Sequence, residues 1–169
     1  MKKNILFLAF AVTVAFSAVS QHKLHAYIAD YDDTTTNIRN APNGKVVCTL
    51  EHEDGIVLTL VEAVNGWWRI EGTIEIWGDD EREVQLKGSS TGYWVHNSVI
   101  GFTGTGGEET CNLYAKPTRK SRIVCEYGGQ LLHPIEVRGH WVKVITEDGE
   151  YTGWFHHDNI CFNPLTTCP

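Results

Sequence analysis

The feature that most constrains this fold is a succession of sequence landmarks that occurs twice in one order. The three pairs are TNIRNAPNGKVVC (36–48) with CNLYAKPTRKSRIVC (111–125), GWWRI (66–70) with HWVKV (140–144), and TGYWVH (91–96) with TGWFH (152–156). A repeated order of this kind indicates two copies of one unit. Units of about 70 residues are too large to be solenoid turns and have the size of small domains.

The first 20 residues have the pattern of an export signal. Two lysines precede an apolar stretch from Ile5 to Val19, and small residues then occupy the positions that a signal peptidase reads. The stretch is too short, and too closely followed by polar residues, for a transmembrane helix. We expect cleavage after Ser20 and a secreted or periplasmic chain that starts at Gln21. The alternative is a buried N-terminal helix.

The charge of the chain argues against nucleic acid as a partner. The formal net charge is −7, and removal of the signal with its two lysines makes it −9. Phosphate contacts require a surplus of lysine and arginine, which this chain lacks. Acidic residues cluster at 30–33 and 79–83, and we interpret both clusters as solvated loops.

All five cysteines lie in the exported part of the chain, so disulfides are expected. The number is odd, which leaves at least one thiol free or paired between chains. Cys111 opens the second unit and Cys161 and Cys168 close it, so a bridge that pins the ends of that unit is reasonable. Cys48 and Cys125 occupy matching strand positions, where a small buried thiol is the default. The pairing and the oligomeric state stay open, and the spacings fit no zinc template.

The whole pattern predicts an all-β fold. Short β-branched or aromatic runs recur about every ten residues and are separated by Gly, Asn, Asp and Pro turns. No window has a helical stripe. Strands of this length and spacing are typical of a small barrel or sandwich.

One segment is present only in the first copy. Residues 72–90 read GTIEIWGDDEREVQLKGSS, with apolar and polar residues alternating on both sides of an Asp-rich turn. This pattern predicts a long β-hairpin. Because the second copy does without it, we expect the hairpin to project from the barrel and to be a place for function.

The landmarks resemble the bacterial SH3 domain, whose pattern is an Asn-x-Arg turn before a Pro, a hairpin, a Gly-x-Trp-x-Lys-Val strand and a closing Gly-Trp-Val segment. The matching segments are 37–42, 66–70 and 92–95 in the first copy and 112–117, 141–144 and 153–155 in the second. The resemblance covers about 27–162 and departs from the pattern at Tyr114, where Arg is usual, and at the insertion. It implies two tandem SH3-like barrels, at 21–102 and 111–169, joined by a linker at 103–110.

The resemblance also implies a function. Bacterial SH3 domains are commonly appended to cell-wall hydrolases, where they look like targeting modules. We therefore expect a non-catalytic module that binds peptidoglycan, a peptide or a partner protein at the cell envelope. No catalytic constellation is evident, and we expect no enzyme activity, no cofactor and no metal. The matched His96 and His156 are expected to make a shared structural hydrogen bond.

Aromatic residues supply the candidate ligand site. Trp67 and Trp68 are consecutive on a strand, so one of them is expected to be exposed or covered by the insertion. We predict a stacking surface for sugars or amine-bearing peptides. Its members are Tyr31, Trp68, Trp77 and Tyr93. The alternative is that the hairpin simply packs Trp77 onto Trp68.

A second hypothesis concerns the hairpin alone. The chain would then be a secreted inhibitor or immunity-type protein whose 72–90 hairpin plugs the active site of another protein. The tip residues Asp79, Asp80 and Arg82 would carry this activity.

Overall fold

The computed structural model describes residues 23–52, 55–105, 111–127 and 129–163, together with Leu165 and Cys168. Over these residues the chain forms fifteen β-strands and two short 3-10 helices, so the predicted all-β fold is confirmed. The predicted signal at 1–20 and its cleavage site lie outside the described residues. No helix in the described part of the chain is long and apolar enough to cross a membrane.

The first sheet has eight strands and contains the first copy of the repeat. Its hydrogen-bonded order is β3-β2-β7-β5-β4-β1-β8, and β6 pairs with β5 outside this path. The strands are β1 (Leu24–Ile28), β2 (Thr35–Arg39), β3 (Val46–Glu51), β4 (Ile56–Val64), β5 (Trp67–Ile76), β6 (Arg82–Gln85), β7 (Tyr93–His96) and β8 (Ile100–Gly101). A 3-10 helix at Asn97–Val99 precedes β8.

The second sheet has five strands in the order β11-β10-β14-β13-β12. They are β10 (Cys111–Tyr114), β11 (Ile123–Tyr127), β12 (Leu132–Arg138), β13 (Trp141–Thr146) and β14 (Thr152–His156). A second 3-10 helix, His157–Asn159, follows β14. A separate two-stranded sheet pairs β9 (Thr103–Gly104) with β15 (Ile160–Cys161).

The repeat in the sequence is a repeat in the topology. The order β3-β2-β7-β5-β4 of the first sheet corresponds strand by strand to β11-β10-β14-β13-β12 of the second. Trp67 lies opposite His96 in the first sheet, and Trp141 lies opposite His156 in the second. The first hairpin of each copy is also irregular at the same place, between Ile38 and Arg39 and at the matching position in β10.

The two sheets share one hydrophobic core. Phe102, which follows β8, is fully buried, and its ring stacks on Phe155 of β14 with the centroids 6.2 Å apart. The backbone of Phe102 exchanges hydrogen bonds with Leu132 at 3.1 and 2.9 Å. The predicted linker, 103–110, begins with β9, which pairs with the strand that closes the second unit. The two copies are therefore packed neighbours.

The predicted hairpin at 72–90 forms, but it does not project as a whole from the sheet. Thr73 to Ile76 of β5 pair with β6, and Ile74 also pairs with Leu58 of β4. Because side chains alternate along a strand, Ile70, Ile74 and Ile76 lie on one face and all three are buried. Leu86, which directly follows β6, is buried as well. The β5 side of the hairpin is thus part of the core, whereas its turn and most of β6 are exposed.

The disulfide joins Cys161 to Cys168 and closes a short loop at the end of the chain. Both cysteines at the end of the second unit are used in this bond, so neither can form the expected bridge to the start of that unit. That expectation is wrong. Cys48 and Cys125 are free thiols and half-buried, in matching positions opposite Ile38 and Leu113. Burial raises the pKa of both thiols, which favours their protonated form.

Candidate functional site

The four aromatic residues predicted to form a stacking surface lie in different places. Tyr31 is 74% exposed in the loop between β1 and β2. Tyr93 is half-buried, and its hydroxyl donates a hydrogen bond to the Leu86 carbonyl at 2.8 Å. Trp77 contacts Phe162 edge to face at 5.9 Å, so its described ring partner is not Trp68. Of the four, only Tyr31 is exposed, whereas Trp77 and Tyr93 are half-buried and Trp68 is buried.

Trp68 is the clearest correction to the predicted site. It is 2% exposed, and its indole N–H donates to the Pro134 carbonyl of the second sheet at 2.7 Å. Trp67 is also buried, at 9% exposed, so neither of the two tryptophans is exposed. The expectation left cover by the insertion as the alternative. The cover comes instead from the second copy for Trp68, and from His96 and Arg39 for Trp67. Trp68 therefore has no free ring face for a ligand.

The hairpin tip is exposed, as its acidic sequence indicates. Asp79, Asp80 and Arg82 all face solvent. Arg82 pairs with the Asp80 carboxylate at 3.4 Å, but the Asp80 side chain is 89% exposed, so this ion pair contributes little. The base of the tip is anchored by the buried Ile76. The tip is consequently a small polar projection on a fixed support.

Each copy contains the same cluster around a tryptophan. In the first copy Trp67 contacts His96 edge to face at 5.0 Å, and the Arg39 guanidinium lies 5.8 Å from the Trp67 ring centre. In the second copy Trp141, His156 and Tyr114 take these places. Their ring distances are 4.8 Å for Trp141–His156 and 5.6 Å for Tyr114–Trp141. Tyr114, where the first copy has Arg39, thus places an aromatic ring instead of a cation against the equivalent tryptophan.

The matched histidines are structural, as predicted. The Nδ1 atom of His96 accepts a hydrogen bond from the Ser98 backbone N–H at 3.3 Å, and His156 does the same for Asp158. Each histidine caps the 3-10 helix that follows it. Nδ1 must be unprotonated to accept, and burial lowers the pKa of both rings from 6.5.

The lowered pKa values predict that the fold weakens in mild acid. The unfolded chain binds protons at these histidines near pH 6.5, whereas the folded chain binds them only at lower pH. The histidine contribution is therefore complete above pH 6.5 and is lost as the pH falls below it. His25, whose pKa burial also lowers, acts in the same direction. Urea unfolding between about pH 7.5 and 5.5 measures the effect.

A matched variant isolates this contribution. Asparagine at positions 96 and 156 keeps a side-chain acceptor for the cap but does not titrate. The double variant H96N/H156N is expected to lose less stability over the same pH range than the native protein. Equal pH slopes for the two proteins would contradict the assignment.

A wide groove of about 520 Å³ lies where the first sheet meets the second. Its apolar surface includes Leu60 and Val137, and Trp68 lies beneath it. Ion pairs surround it: Lys23–Glu71 at 2.9 Å, Arg69–Glu62 at 2.9 Å and Arg138–Glu136 at 2.7 Å. Of these charged residues all but Arg138 line the groove. The paired charges leave it with little net field.

The wide groove is bordered by two strand stretches that are paired on one side only. Strand β1 covers β4 as far as Leu60, so 61–64 has no strand partner beyond β5 among the described residues. Glu136 and Val137 belong to β12, the end strand of the second sheet, and in the described chain they pair only with β13. Residues 61–63 of the first stretch and both residues of the second line the groove. Such edges can accept an added strand.

A second groove, of about 420 Å³, also lies between the two sheets, and we call it the Tyr31 groove. It is formed by the β1–β2 loop, the first 3-10 helix, β12 and the β13–β14 turn. Its lining residues are Ala29, Asp30, Tyr31, Asp32, Asn97, Ser98, Leu131, His133, Ile145, Thr146, Glu147 and Gly149. Sequence reasoning placed Asp30 and Asp32 in a solvated loop and gave Glu147 no role, because nothing in the sequence brings these two segments together.

Beside this groove a buried hydroxyl lies between a carboxylate and a histidine. Thr36 donates to the Asp30 carboxylate at 2.9 Å, and its oxygen lies 3.0 Å from Nε2 of His52. Thr36 is 1% exposed, so no substrate can reach this hydroxyl in the structure. The contact therefore holds Asp30 in place and does not resemble an accessible nucleophile.

Comparison with known proteins does not assign this chain to a family. No protein-family model matches the sequence, and no curated protein matches it. Among solved structures it is similar to NlpC1 from Trichomonas vaginalis, at 12% identity and a TM-score of 0.31, over 89% of this chain and 50% of that one. NlpC2 from Trichomonas vaginalis gives 10% identity and a TM-score of 0.31, over 85% and 49%. The chain thus spans about half the length of these structures, and a likeness at this level carries no argument about function.

Proposed function

We propose that this protein is a non-catalytic binding module of the cell envelope, built from two bacterial SH3-like units, that binds an extended wall peptide in the wide groove. The observation that carries the proposal is the pair of strand stretches, 61–63 and 136–137, that are each paired on one side only and that line the same groove. An extended peptide that enters such a groove can use main-chain hydrogen bonds on its edges.

The charges around the groove support main-chain recognition. Each lining carboxylate already has a cation at 2.7–2.9 Å, so a ligand gains little from a charge of its own. The apolar surface of Leu60 and Val137 suits small apolar side chains such as those of wall peptides. The Cys161–Cys168 disulfide fits an oxidising, extracytoplasmic compartment.

Retention on purified peptidoglycan sacculi tests the proposal. The mature protein, residues 21–169, is compared with the variant Ala63→Arg, which places a long charged side chain in the groove lining. We expect retention of the native protein and at least about tenfold weaker binding of the variant, because the arginine occupies the groove and brings an unpaired charge. Val46→Arg is the control, since Val46 is 45% exposed at the other edge of the same sheet.

The outcomes separate the possible binding sites. Equal retention of native protein and Ala63→Arg, with both variants folded by circular dichroism, rejects the groove as the wall site. Absence of retention for all three proteins rejects the wall peptide as the ligand and leaves a partner protein to be sought.

The inhibitor hypothesis remains a second candidate because the exposed tip stands on a buried base. Ile74 and Leu86 are core residues, so the hairpin cannot be removed without damage to the fold. The suitable variant is therefore D79S/D80S/R82S, which changes the tip alone. If this hypothesis holds, the native protein slows lysis of sacculi by a wall hydrolase and the tip variant does not.

A further inference from the structure

The Tyr31 groove has a negative lining that nothing within it balances. Three carboxylates line it, those of Asp30, Asp32 and Glu147, and no lysine or arginine is among its described lining residues. None of the three is in an ion pair that the structure records for the described chain. This is the opposite of the wide groove, where each carboxylate has its own cation.

The groove also presents an aromatic ring to solvent. Tyr31 is 74% exposed, the most exposed large hydrophobic side chain in the described part of the chain. A ring in water beside carboxylates is favourable for a cation, because the ring face attracts positive charge and the carboxylates add to that attraction. Beneath it Leu131 and Thr146 are buried and form a floor.

Three of the residues that line the groove are held by hydrogen bonds before any ligand arrives. Asp30 accepts the hydrogen bond from the buried Thr36. The ring of His133 contacts the Ile100 carbonyl through Nδ1 at 2.7 Å, and since a carbonyl only accepts, Nδ1 donates. Thr146 donates to Asp148 at 2.6 Å, which fixes the turn that carries Glu147. Lining residues that are already ordered lose less entropy when a ligand binds.

From this charge, ring and shape we propose that the Tyr31 groove binds the primary ammonium group of a peptide, with the ammonium between the Tyr31 ring and the carboxylates of Asp32 and Glu147. The site shares no lining residue with the wide groove and does not depend on the function proposed above. It would give the protein a second, charge-dependent contact with a peptide ligand.

The test uses small probes and the mature protein, residues 21–169, followed by amide chemical shifts in NMR. Nα-acetyl-lysine methylamide carries a side-chain ammonium, alanine methylamide carries a terminal one, and the diacetylated lysine carries neither. We expect the diacetylated probe to bind at least about tenfold more weakly than the better of the two amines, and binding to weaken as salt rises. Which amine binds better identifies the source of the ammonium.

Two matched pairs of variants test the position of the site. Asp32→Asn removes a lining carboxylate and is expected to weaken binding about threefold. Asp33→Asn removes an exposed carboxylate next to it that does not line the groove, and should have almost no effect. Tyr31→Ala should weaken binding two- to fivefold, while Tyr31→Phe keeps the ring and should bind nearly as well.

The proposal is overturned by any of three results. The first is equal binding of the acetylated and amine probes. The second is an equal effect of the asparagine substitutions at 32 and 33. The third is a set of perturbed amides that excludes 29–32 and 145–149. These residues are not in the wide groove, so failure here leaves the sacculus experiment unaffected.

Discussion

Replacement of Trp68 by alanine is expected to lower the free energy of unfolding by about 3–5 kcal/mol, the usual cost of truncating a buried tryptophan. The ring is 2% exposed, and its N–H bonds to the Pro134 carbonyl at 2.7 Å. The substitution therefore removes a large core side chain and a direct contact between the two sheets. For a fold of marginal stability this is a large fraction of the total. Urea unfolding measures it.

One further variant isolates the hydrogen bond of Trp68, and a second, at Trp77, is a control for the loss of a tryptophan elsewhere. Trp68→Phe keeps a ring but leaves the Pro134 carbonyl without its donor, and should cost about 1–3 kcal/mol. Trp77→Ala removes a half-buried tryptophan from the hairpin and should cost less than Trp68→Ala. If Trp68→Ala costs less than about 1 kcal/mol, the contact between the sheets does not stabilise the fold as described.

Replacement of Gly153 by alanine is expected to destabilise the second sheet by about 1–3 kcal/mol, the usual cost of overpacking. A Cβ atom at this position would lie 2.8 Å from Val124 Cγ2 and 2.9 Å from Leu113 Cβ. The same Cβ atom would also lie 3.2 Å from the Tyr114 carbonyl oxygen. Two of these three neighbours belong to β10, so either the strands separate or the side chains leave their preferred rotamers.

Gly72 provides the matched control for Gly153. It also lies in a strand, but a Cβ atom there would meet only the Tyr93 ring, at 3.6 and 4.0 Å, which is ordinary contact. Gly72→Ala should therefore change the free energy of unfolding by less than about 0.5 kcal/mol. Similar losses for the two alanine variants would show that the crowding around Gly153 is not the cause.

The repeated Thr-Gly pair shows what a sequence repeat can hide. Gly92 in the first copy has a φ of +114°, a backbone conformation that residues other than glycine rarely adopt. Gly153, at the matching place in the second copy, instead has too little space for a Cβ atom. The repeat predicted that the two glycines occupy equivalent positions. The repeat did not predict why each position requires glycine, because one reason is local backbone geometry and the other is packing against β10 and β11.

The candidate site shows the same contrast between features that are local in the sequence and features that depend on packing. The matched histidines at 96 and 156 were predicted to make a structural hydrogen bond, and each accepts one from the backbone N–H two residues on, which caps the 3-10 helix that follows. The stacking surface was not formed, since Trp68 is covered by a strand that begins 64 residues later in the chain. The carboxylates of the Tyr31 groove come from the β1–β2 loop and the β13–β14 turn, more than a hundred residues apart in sequence. No local pattern indicates that they meet.

The amino-acid sequence by itself determined the all-β class, the doubled order of strands and the main turns. Asn65 and Gly66 illustrate this, because they take the positive φ angles, 49° and 82°, that a tight turn between β4 and β5 requires. These features depend on side-chain alternation and on residues close together in the chain. Only the tertiary structure decided that the hairpin base is core, that Cys161 pairs with Cys168, and that two grooves lie between the copies. The hairpin base and the two grooves depend on how surfaces from distant parts of the chain fit together, and packing of that kind leaves no periodic signal in either part alone. The disulfide is local, with a sequence separation of 7, but the positions of five cysteines do not by themselves select one pairing.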